Sequence, residues 1–165
     1  MSDENPSVEW RDEEFMDKLL VVVDGSASSE QAVEFALRFA HKTHCALVAV
    51  YPIDTAQMDY LLKLRYFVSD ERAALEAAIE EKARRYLQRV QAVAEAGEVQ
   101  LDTAIVRGSF HESLLRYARE NAIAGIVLGD YHFNAAEKNF STNERKLLME
   151  LAECPVFFIP MVKKG

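Results

Sequence analysis

The sequence predicts an α/β fold with one open, doubly wound parallel sheet of five strands and helices on both faces. Three observations support this fold class: short apolar runs recur along the chain, segments of helical periodicity separate them, and no internal repeat or Pro- and Gly-rich linker interrupts the series. Strands that alternate with helices are typical of right-handed βαβ crossovers in a parallel sheet. The length of 165 residues fits one domain.

The chain opens with a polar segment and then reaches its first strand. Residues 1–17 are acidic and are expected to lie outside the domain, with Trp10 and Phe15 as candidate anchors onto it. Residues 19–23 form a continuous aliphatic run, which is typical of a strand covered on both faces. The predicted domain therefore spans residues 18–162.

The next segments predict a helix, a strand and a longer helix. Ser28 and Gln31 have the spacing of a capping box, and apolar residues then recur on one helix face. Residues 46–51 are the second strand, which Pro52 is expected to end. A second helical stripe covers residues 75–94.

Three further strands complete the predicted sheet. They cover residues 99–106, 126–128 and 156–159. A helix is expected in each of the two gaps between them. Ser109 with Glu112 forms a capping box that predicts the start of the first helix. Ser141 with Glu144 forms another, which predicts the start of the second.

The charge of the chain excludes several classes of function. A formal net charge of −8 repels a nucleic-acid backbone, and the arginines at 84, 85 and 89 lie among glutamates, as on a solvated helix face. No basic stretch followed by an apolar one marks a secretory signal, and no apolar run approaches the roughly 20 residues that span a bilayer. We expect a cytoplasmic protein without nucleic-acid or membrane partners.

No catalytic or metal-binding pattern stands out in the sequence. It has no Ser-His-Asp order, HExxH or CxxC pair. Cys45 and Cys154 each open an apolar run, which favours two buried thiols in strands over a disulfide or a metal pair. His41 and His44 suit the negative end of the first helix, and His111 is expected to be exposed. We therefore predict no catalytic residue and no metal ligand.

Candidate ligand-binding residues follow the strands, because sheets of this kind bind ligands outside the carboxyl ends of their strands. Asp24 and Gly25 follow the first strand, and Gly129, Asp130 and His132 follow the fourth. His132 is favoured as a loop histidine packed among aromatic neighbours over a catalytic base.

Together these segments resemble the universal stress protein family from about residue 18 to residue 160. The resemblance rests on KLLVVVDGS at residues 18–26, RG at 107–108, IVLG at 126–129 and AECPVFFI at 152–159. It implies the strand order 3-2-1-4-5, a fold similar to that of the adenine nucleotide alpha hydrolases, and a role in the stress response.

One branch of that family binds ATP through the motif G-x-x-G-x9-G-[ST] after the fourth strand, and another branch lacks the motif. Here Gly129 fills the first position, whereas His132, Thr142 and Asn143 fill the other three. A glycine lets a backbone amide touch phosphate oxygens, and an imidazole would put bulk there. Ser141, Thr142 and Asn143 could still offer side-chain donors at a helix N-terminus.

The resemblance also implies where a nucleotide would lie. The Val50 backbone matches the position that meets adenine, and Asp24, next to Gly25, matches the position beside the ribose and metal-bound phosphates. The alternatives are ladder pairing for Val50, a turn carboxylate that accepts backbone amides for Asp24, and a helix cap for Ser141. ATP or another adenine nucleotide, with Mg²⁺, is therefore a candidate cofactor, and no cofactor is the alternative.

Family members commonly dimerise through the last strand, and the residues of this chain support such a homodimer independently. The run VFFIPMV at residues 156–162 is too apolar for an exposed edge, which would pair with another chain. Val156, Phe158 and Met161 are the candidate contacts.

The leading interpretation is a dimeric stress-response or signalling protein that acts through protein contacts or a small ligand, without strong ATP dependence. The alternative is an adenine-nucleotide-binding stress protein with a modified phosphate loop, slow hydrolysis or a ligand with fewer phosphates. A phospho-accepting receiver domain would need an Asp where Arg107 and Gly108 stand. An ATP pyrophosphatase-type enzyme would need a Gly-rich loop after the first strand.

Overall fold

The computed structural model describes residues 15–64, 69–130 and 135–161 of the chain. Within these ranges, strands and helices alternate. The strands are β1 (Lys18–Val22), β2 (Ala46–Asp54), β3 (Leu101–Gly108), β4 (Gly125–Gly129) and β5 (Val156–Ile159), and the helices are α1 (Ala27–Thr43), α2 (Thr55–Lys63), α3 (Ser69–Ala96), α4 (Phe110–Glu120) and α5 (Ala135–Leu151).

The five strands form one parallel sheet in the order β3-β2-β1-β4-β5. The chain moves outward from β1 through β2 to β3, and then crosses back to β4 and β5. Strand order therefore reverses between β1 and β4, which is where parallel α/β sheets leave a crevice for ligands. Both the α/β fold class and the expected strand order are confirmed.

Strand β1 contributes to two cores, because successive side chains of a strand point to opposite faces. Leu19 and Val21 pack on the face covered by α1 and α3, whereas Leu20 and Val22 pack on the face covered by α4 and α5. Burying each such side chain stabilises the fold by about 1.5–3 kcal/mol. A continuous aliphatic run is what the centre of a doubly covered sheet requires.

Strand β2 is longer than predicted, because Pro52 does not end it. The last backbone bond between β1 and β2 joins the Val23 N–H to the Val50 carbonyl at 2.9 Å. Backbone groups two residues apart point to the same side of a strand, so Pro52 faces a side where no N–H is required. On the other side, pairing with β3 continues to Asp54 and Gly108.

Two helices begin where the sequence did not place a helix start. Ser26, rather than Ser28, is the N-cap of α1, and its Oγ accepts the Ser29 N–H at 3.2 Å. Helix α2 is absent from the prediction altogether. Asp54 is its N-cap, with Oδ1 accepting the Gln57 N–H at 2.9 Å, so the carboxylate that ends β2 also starts the next helix.

The two histidines at the end of α1 take different roles, neither of which is a ring bonded to the end of that helix. His44 adopts the left-handed conformation (φ 60°) and donates its N–H to the Ala40 carbonyl. The Nδ1 atom of the His41 ring lies 3.1 Å from the Gly97 carbonyl oxygen and joins the end of α1 to the residue after α3.

In the part of the chain that the structure describes, no helix is long and apolar enough to cross a membrane.

The two cysteines are free thiols, but neither lies in a strand as predicted. Cys45 is buried immediately before β2, and Cys154 is half-buried in the turn before β5. Burial raises the pKa of the Cys154 thiol, and the Glu153 carboxylate adds to the effect. Both positions flank the apolar runs that suggested strands.

Candidate functional site

Four residues lie at or just after the carboxyl ends of β1, β2, β3 and β4, near the point between β1 and β4 where the strand order reverses. Asp24 and Ser109 follow β1 and β3, Asp54 ends β2, and Gly129 ends β4. We call the region defined by these four residues the strand-end crevice. It is the part of the fold in which the sequence predicted a ligand.

The turn after β1 uses the Asp24 carboxylate to hold its own backbone. Oδ1 of Asp24 accepts the Ser26 N–H at 2.8 Å, and the Asp24 N–H donates to Ser29 Oγ at 3.2 Å. Gly25 between them has φ +80°, a conformation that side chains rarely adopt. The Asp24 carboxylate therefore accepts a backbone amide, as the turn interpretation requires, and Gly25 is required by the turn itself. A ligand contact of Asp24 stays a prediction.

Two tyrosines, Tyr51 and Tyr86, lie next to this turn. Tyr51 donates its hydroxyl to the Asp24 carbonyl at 3.2 Å, and a Cβ built on Gly25 would lie 3.7 Å from the Tyr86 ring. Burial raises the pKa of both phenols, and the Asp24 carboxylate raises it further. Both hydroxyls therefore stay protonated at neutral pH, and that of Tyr51 donates a hydrogen bond to the turn.

The Val50 backbone lies inside the sheet and does not end a strand. Val50 pairs with Val22 of β1 and Ala104 of β3, its side chain is fully buried, and its carbonyl accepts the Val23 N–H. The Val50 backbone therefore takes part in ladder pairing, and an adenine contact stays a prediction. Because β2 continues to Asp54, the edge of the crevice on this strand lies four residues beyond Val50.

Gly129 is required for the packing of α1 against β4. A Cβ built on Gly129 would lie 2.5 Å from the Ser28 carbonyl oxygen and 2.9 Å from its carbon. Both atoms belong to the backbone, which cannot swing away as a side chain could. Close packing therefore requires a glycine at the first position of the nucleotide motif whether or not a ligand binds.

A histidine–carboxylate pair that the sequence did not predict lies beside the crevice. Oε2 of Glu144, in α5, accepts the His111 N–H at 3.0 Å and lies 2.7 Å from Nδ1 of the same residue, in α4. The two side chains are 14% and 12% exposed, so the expectation of an exposed His111 is wrong. Burial here strengthens the interaction, because screening by water is weak.

Asp54 is electrostatically coupled to this pair. Burial raises the pKa of the Asp54 carboxyl, the hydrogen bond from the Gln57 N–H lowers it, and the nearby Glu144 carboxylate raises it again. His111 has a smaller, lowering effect. Asp54, at the end of β2, and Glu144, in α5, are thus neighbouring acidic groups, and the charge of Glu144 disfavours ionisation of Asp54.

Arg145 is the buried cation next to this acidic pair. Its Nη1 donates to the Gly129 carbonyl at 2.6 Å, and its guanidinium lies over the Phe110 ring, 5.4 Å from the centroid. The residue is 8% exposed. Arg145 therefore ties α5 to the end of β4 and to the start of α4.

Ser109 takes the predicted N-cap position of α4 but makes no side-chain cap bond. Its Oγ is buried and has no hydrogen-bond partner among the described residues. Glu144 bonds the first-turn amide of His111 instead. The capping box predicted from Ser109 and Glu112 is therefore replaced by a carboxylate from another helix.

The structure corrects the predicted start of the last helix. Helix α5 begins at Ala135, so Ser141, Thr142 and Asn143 lie within the helix and not at its N-terminus. The capping box of Ser141 and Glu144 is wrong, since Glu144 bonds His111. His132 lies outside the described residues, as do the side chains of Ser141 and Thr142.

The three candidate dimer residues lie on or next to the edge strand β5. Val156 packs partly against the core covered by α4 and α5, and Met161 is half-buried just after the strand. Phe158 is 44% exposed, whereas its neighbour Phe157 packs against Phe35 and Phe39 of α1. Strand β5 therefore presents an aromatic side chain at an open edge.

An open five-stranded parallel sheet with its reversal point between β1 and β4 defines a doubly wound, Rossmann-like α/β protein. The sequence model of the Universal stress protein family matches residues 16–160. The chain therefore belongs to the universal stress protein family, as the resemblance of its motifs indicated. A search of curated proteins finds no significant match.

Solved structures of family members share this fold. A universal stress protein from Burkholderia pseudomallei is 28% identical, with a TM-score of 0.71 over 88% of this chain and 97% of the other. One from Arabidopsis thaliana, solved with AMP bound, is 15% identical, with a TM-score of 0.63 over 88% and 92%. Another, solved in complex with cAMP, is 18% identical, with a TM-score of 0.58 over 87% and 95%.

Proposed function

We propose that this universal stress protein serves the stress response without tight ATP binding, as a homodimer that acts through protein contacts or a small ligand. The observation that carries this proposal is that two carboxyl groups lie at the strand-end crevice, Asp54 as the N-cap of α2 and Glu144 bonded to His111. Their negative charge would repel a polyphosphate placed there. Asp24 uses its carboxylate within its own turn.

The placement of the nearby cation supports the same conclusion. Arg145 donates to the Gly129 carbonyl and lies over the Phe110 ring while 8% exposed. One donor of this guanidinium is thus used by the Gly129 carbonyl, and its charge lies over an aromatic ring. The cation beside the crevice is therefore partly engaged within the fold.

The backbone of α5 offers little to a phosphate. Amides inside an α-helix donate to the carbonyl four residues earlier, and free amides remain in the first turn alone. Ser141, Thr142 and Asn143 are the seventh to ninth residues of α5. Their N–H groups are therefore used within the helix, unlike the amides that a phosphate-binding loop must expose.

Isothermal titration with Mg-ATP tests this proposal. We expect no binding at micromolar concentrations in the wild-type protein. A Glu144→Gln variant, which removes one charge but keeps an oxygen that can accept the His111 N–H, should bind more tightly than the wild type. Micromolar or tighter binding by the wild type would contradict the proposal.

A second candidate is an adenine nucleotide with a single phosphate, with or without Mg²⁺. Two relatives of the same fold were solved with AMP and with cAMP, which carry less charge than ATP. In this chain the position that the family resemblance places beside the ribose is Asp24, in the turn after β1. Slow hydrolysis of ATP would belong to this candidate as well.

Mass spectrometry of gently purified protein tests the second candidate. A bound AMP or cyclic nucleotide released on denaturation would support it, and a thermal shift with added AMP should accompany the finding. No co-purified nucleotide and no thermal shift would count against it. Because the experiment tests nucleotides with one phosphate, it can support this candidate even when the protein does not bind ATP.

The homodimer is proposed through the edge strand β5. An exposed strand with an apolar face invites pairing with a second chain, and Phe158 is 44% exposed at that edge. Met161→Glu should shift the mass measured by light scattering from dimer to monomer. Leu75→Glu, at an exposed position of α3 (39%), is the matched control and should leave the dimer intact.

A cytoplasmic location is part of the proposal. Cys45 and Cys154 are free thiols, which suits a reducing compartment. Fractionation of cells that express the protein would test this location.

A further inference from the structure

A groove of about 410 Å³ opens between the C-terminal ends of α1 and α3, away from the strand-end crevice. We call it the α1/α3 groove. It is lined by Leu37, Arg38, His41, Lys42, Val93 and Val99. Three of these side chains are apolar, and the others give the groove a basic rim.

The groove exposes apolar surface that no described residue covers. Val93 is 59% exposed although it lies in the last turns of α3. The bond between the His41 ring and the Gly97 carbonyl holds the two helix ends together, so the groove is already formed. Exposed apolar surface with a polar rim is typical of a binding surface.

The composition of residues 1–14, which lie outside the described ranges, complements this groove. Six of these residues are acidic and one, Arg11, is basic, so the segment carries a net charge of −5. The remaining residues carry 18 basic and 21 acidic side chains and net −3. The segment also contains Val8 and Trp10, the single tryptophan of the chain.

We propose that residues 1–14 dock in the α1/α3 groove of their own chain, with Trp10 on the apolar floor and the acidic side chains against the basic rim. The segment then covers Val93 and Val99 as a strap across the two helix ends. Docking removes the apolar surface of Trp10 and of the groove from water at the same time.

The N-terminal segment is attached to the domain close enough to the groove to reach it. Asp17, next to β1, accepts the Ala46 N–H, and the Leu47 N–H donates to the Gln100 carbonyl. The start of β3, and Val99 with it, is thus two strand spacings from the start of β1, about 10 Å. Asp17 lies seven positions after Trp10, and seven extended residues reach about 23 Å.

The charges of the rim are free enough to attract the segment. Arg38 and Glu34 form an exposed pair at 3.8 Å, with side chains 80% and 70% exposed, and such surface pairs contribute about 0–1 kcal/mol. Lys42 is also exposed. Since exposed charges are screened by salt, the docked segment should loosen as ionic strength rises.

Trp10 fluorescence in the full-length chain tests the proposal. In the wild type we expect blue-shifted emission and weak acrylamide quenching, both moving toward those of free tryptophan as salt is added. Val93→Glu and the double variant Arg38→Glu/Lys42→Glu should give red-shifted emission and several-fold stronger quenching at low salt. Circular dichroism is used to verify that each variant keeps its helices.

Gln88→Glu is the matched control for charge, because Gln88 is exposed on another side of α3. It should leave both the emission and the quenching of Trp10 unchanged. Wild-type emission like that of free tryptophan would overturn the proposal. A shielded Trp10 whose emission and quenching do not change in Val93→Glu would also overturn it. Shielding that disappears on dilution would do the same, because it would show that the segment docks on a second copy of the chain.

Discussion

Helices α1 and α4 both start at the strand-end crevice with a serine in the N-cap position, yet the two starts are stabilised differently. Ser26 accepts the Ser29 N–H within its own turn. Ser109 makes no such bond, and Glu144, 33 residues from His111, bonds the first-turn amide instead. The first helix start is thus stabilised locally and the second by tertiary contact.

The two helix starts meet the same physical requirement with acceptors from different parts of the sequence, one nearby and one distant. The first-turn amides of any helix need acceptors. At α1 the acceptor is three residues away and belongs to a turn built by Asp24 and Gly25. At α4 the acceptor arrives only when α5 has packed, so the start of α4 depends on the fold around it.

The largest effect is expected where α1 meets β4. Gly129→Ala places a Cβ 2.5 Å from the Ser28 carbonyl oxygen and should lower the free energy of unfolding by about 3 kcal/mol, the upper end for an overpacked site. Urea denaturation measures this change. Gly97→Ala, whose Cβ would meet ordinary contacts at 3.6 Å, is the control and should cost far less.

The next effect concerns the tertiary cap of α4. Glu144→Ala leaves the buried His111 N–H and ring without their acceptor and should cost about 2 kcal/mol in thermal or urea unfolding. Glu144→Gln should cost less, because its amide oxygen can still accept the His111 N–H. Equal losses for both variants would mean that charge, and not the hydrogen bond, stabilises this contact.

The two serines give the most direct comparison of the helix starts. Ser26→Ala should cost about 1 kcal/mol through the lost N-cap. Ser109→Ala should be neutral or slightly stabilising, since its buried Oγ has no partner among the described residues. Equal losses at both positions in urea denaturation would contradict the distinction between a local and a tertiary cap.

The smallest effect is the pH dependence contributed by Asp54. Its pKa is raised above the ordinary value of 3.8, chiefly by burial, so the folded protein holds this proton more tightly than the unfolded chain. Stability should therefore fall as pH rises from about 4 through the raised pKa. Asp54→Asn keeps a capping side chain and should lack this loss. If the stability of the wild type and of Asp54→Asn changed with pH in the same way, this assignment to Asp54 would be contradicted.

Much of the fold follows from local sequence, and the exceptions have local reasons. The aliphatic run at residues 19–22 could only be a central strand, and helical periodicity marked α1 and α3. Pro52 was misleading because β1 has already ended beside it. Helix α2 escaped prediction because Asp54 is both the last residue of β2 and an N-cap.

The candidate site was less predictable than the fold. Asp24 and Gly25 lie in the turn after β1, where the sequence placed them, because turn residues after strands are visible in sequence. Gly129, expected just after the fourth strand, is its last residue. The contact of His111 with Glu144 joins two helices, and a single sequence carries no signal for it beyond the two residue types. The predicted capping box assigned Glu144 to Ser141, a local partner that the longer helix α5 excludes.

The affinities of AMP, ADP and ATP, each titrated with Mg²⁺ under the same conditions, test the central claim most directly. If carboxylates at the strand-end crevice select against charge, affinity should fall from AMP to ATP. Affinity that rises with each added phosphate would contradict the account.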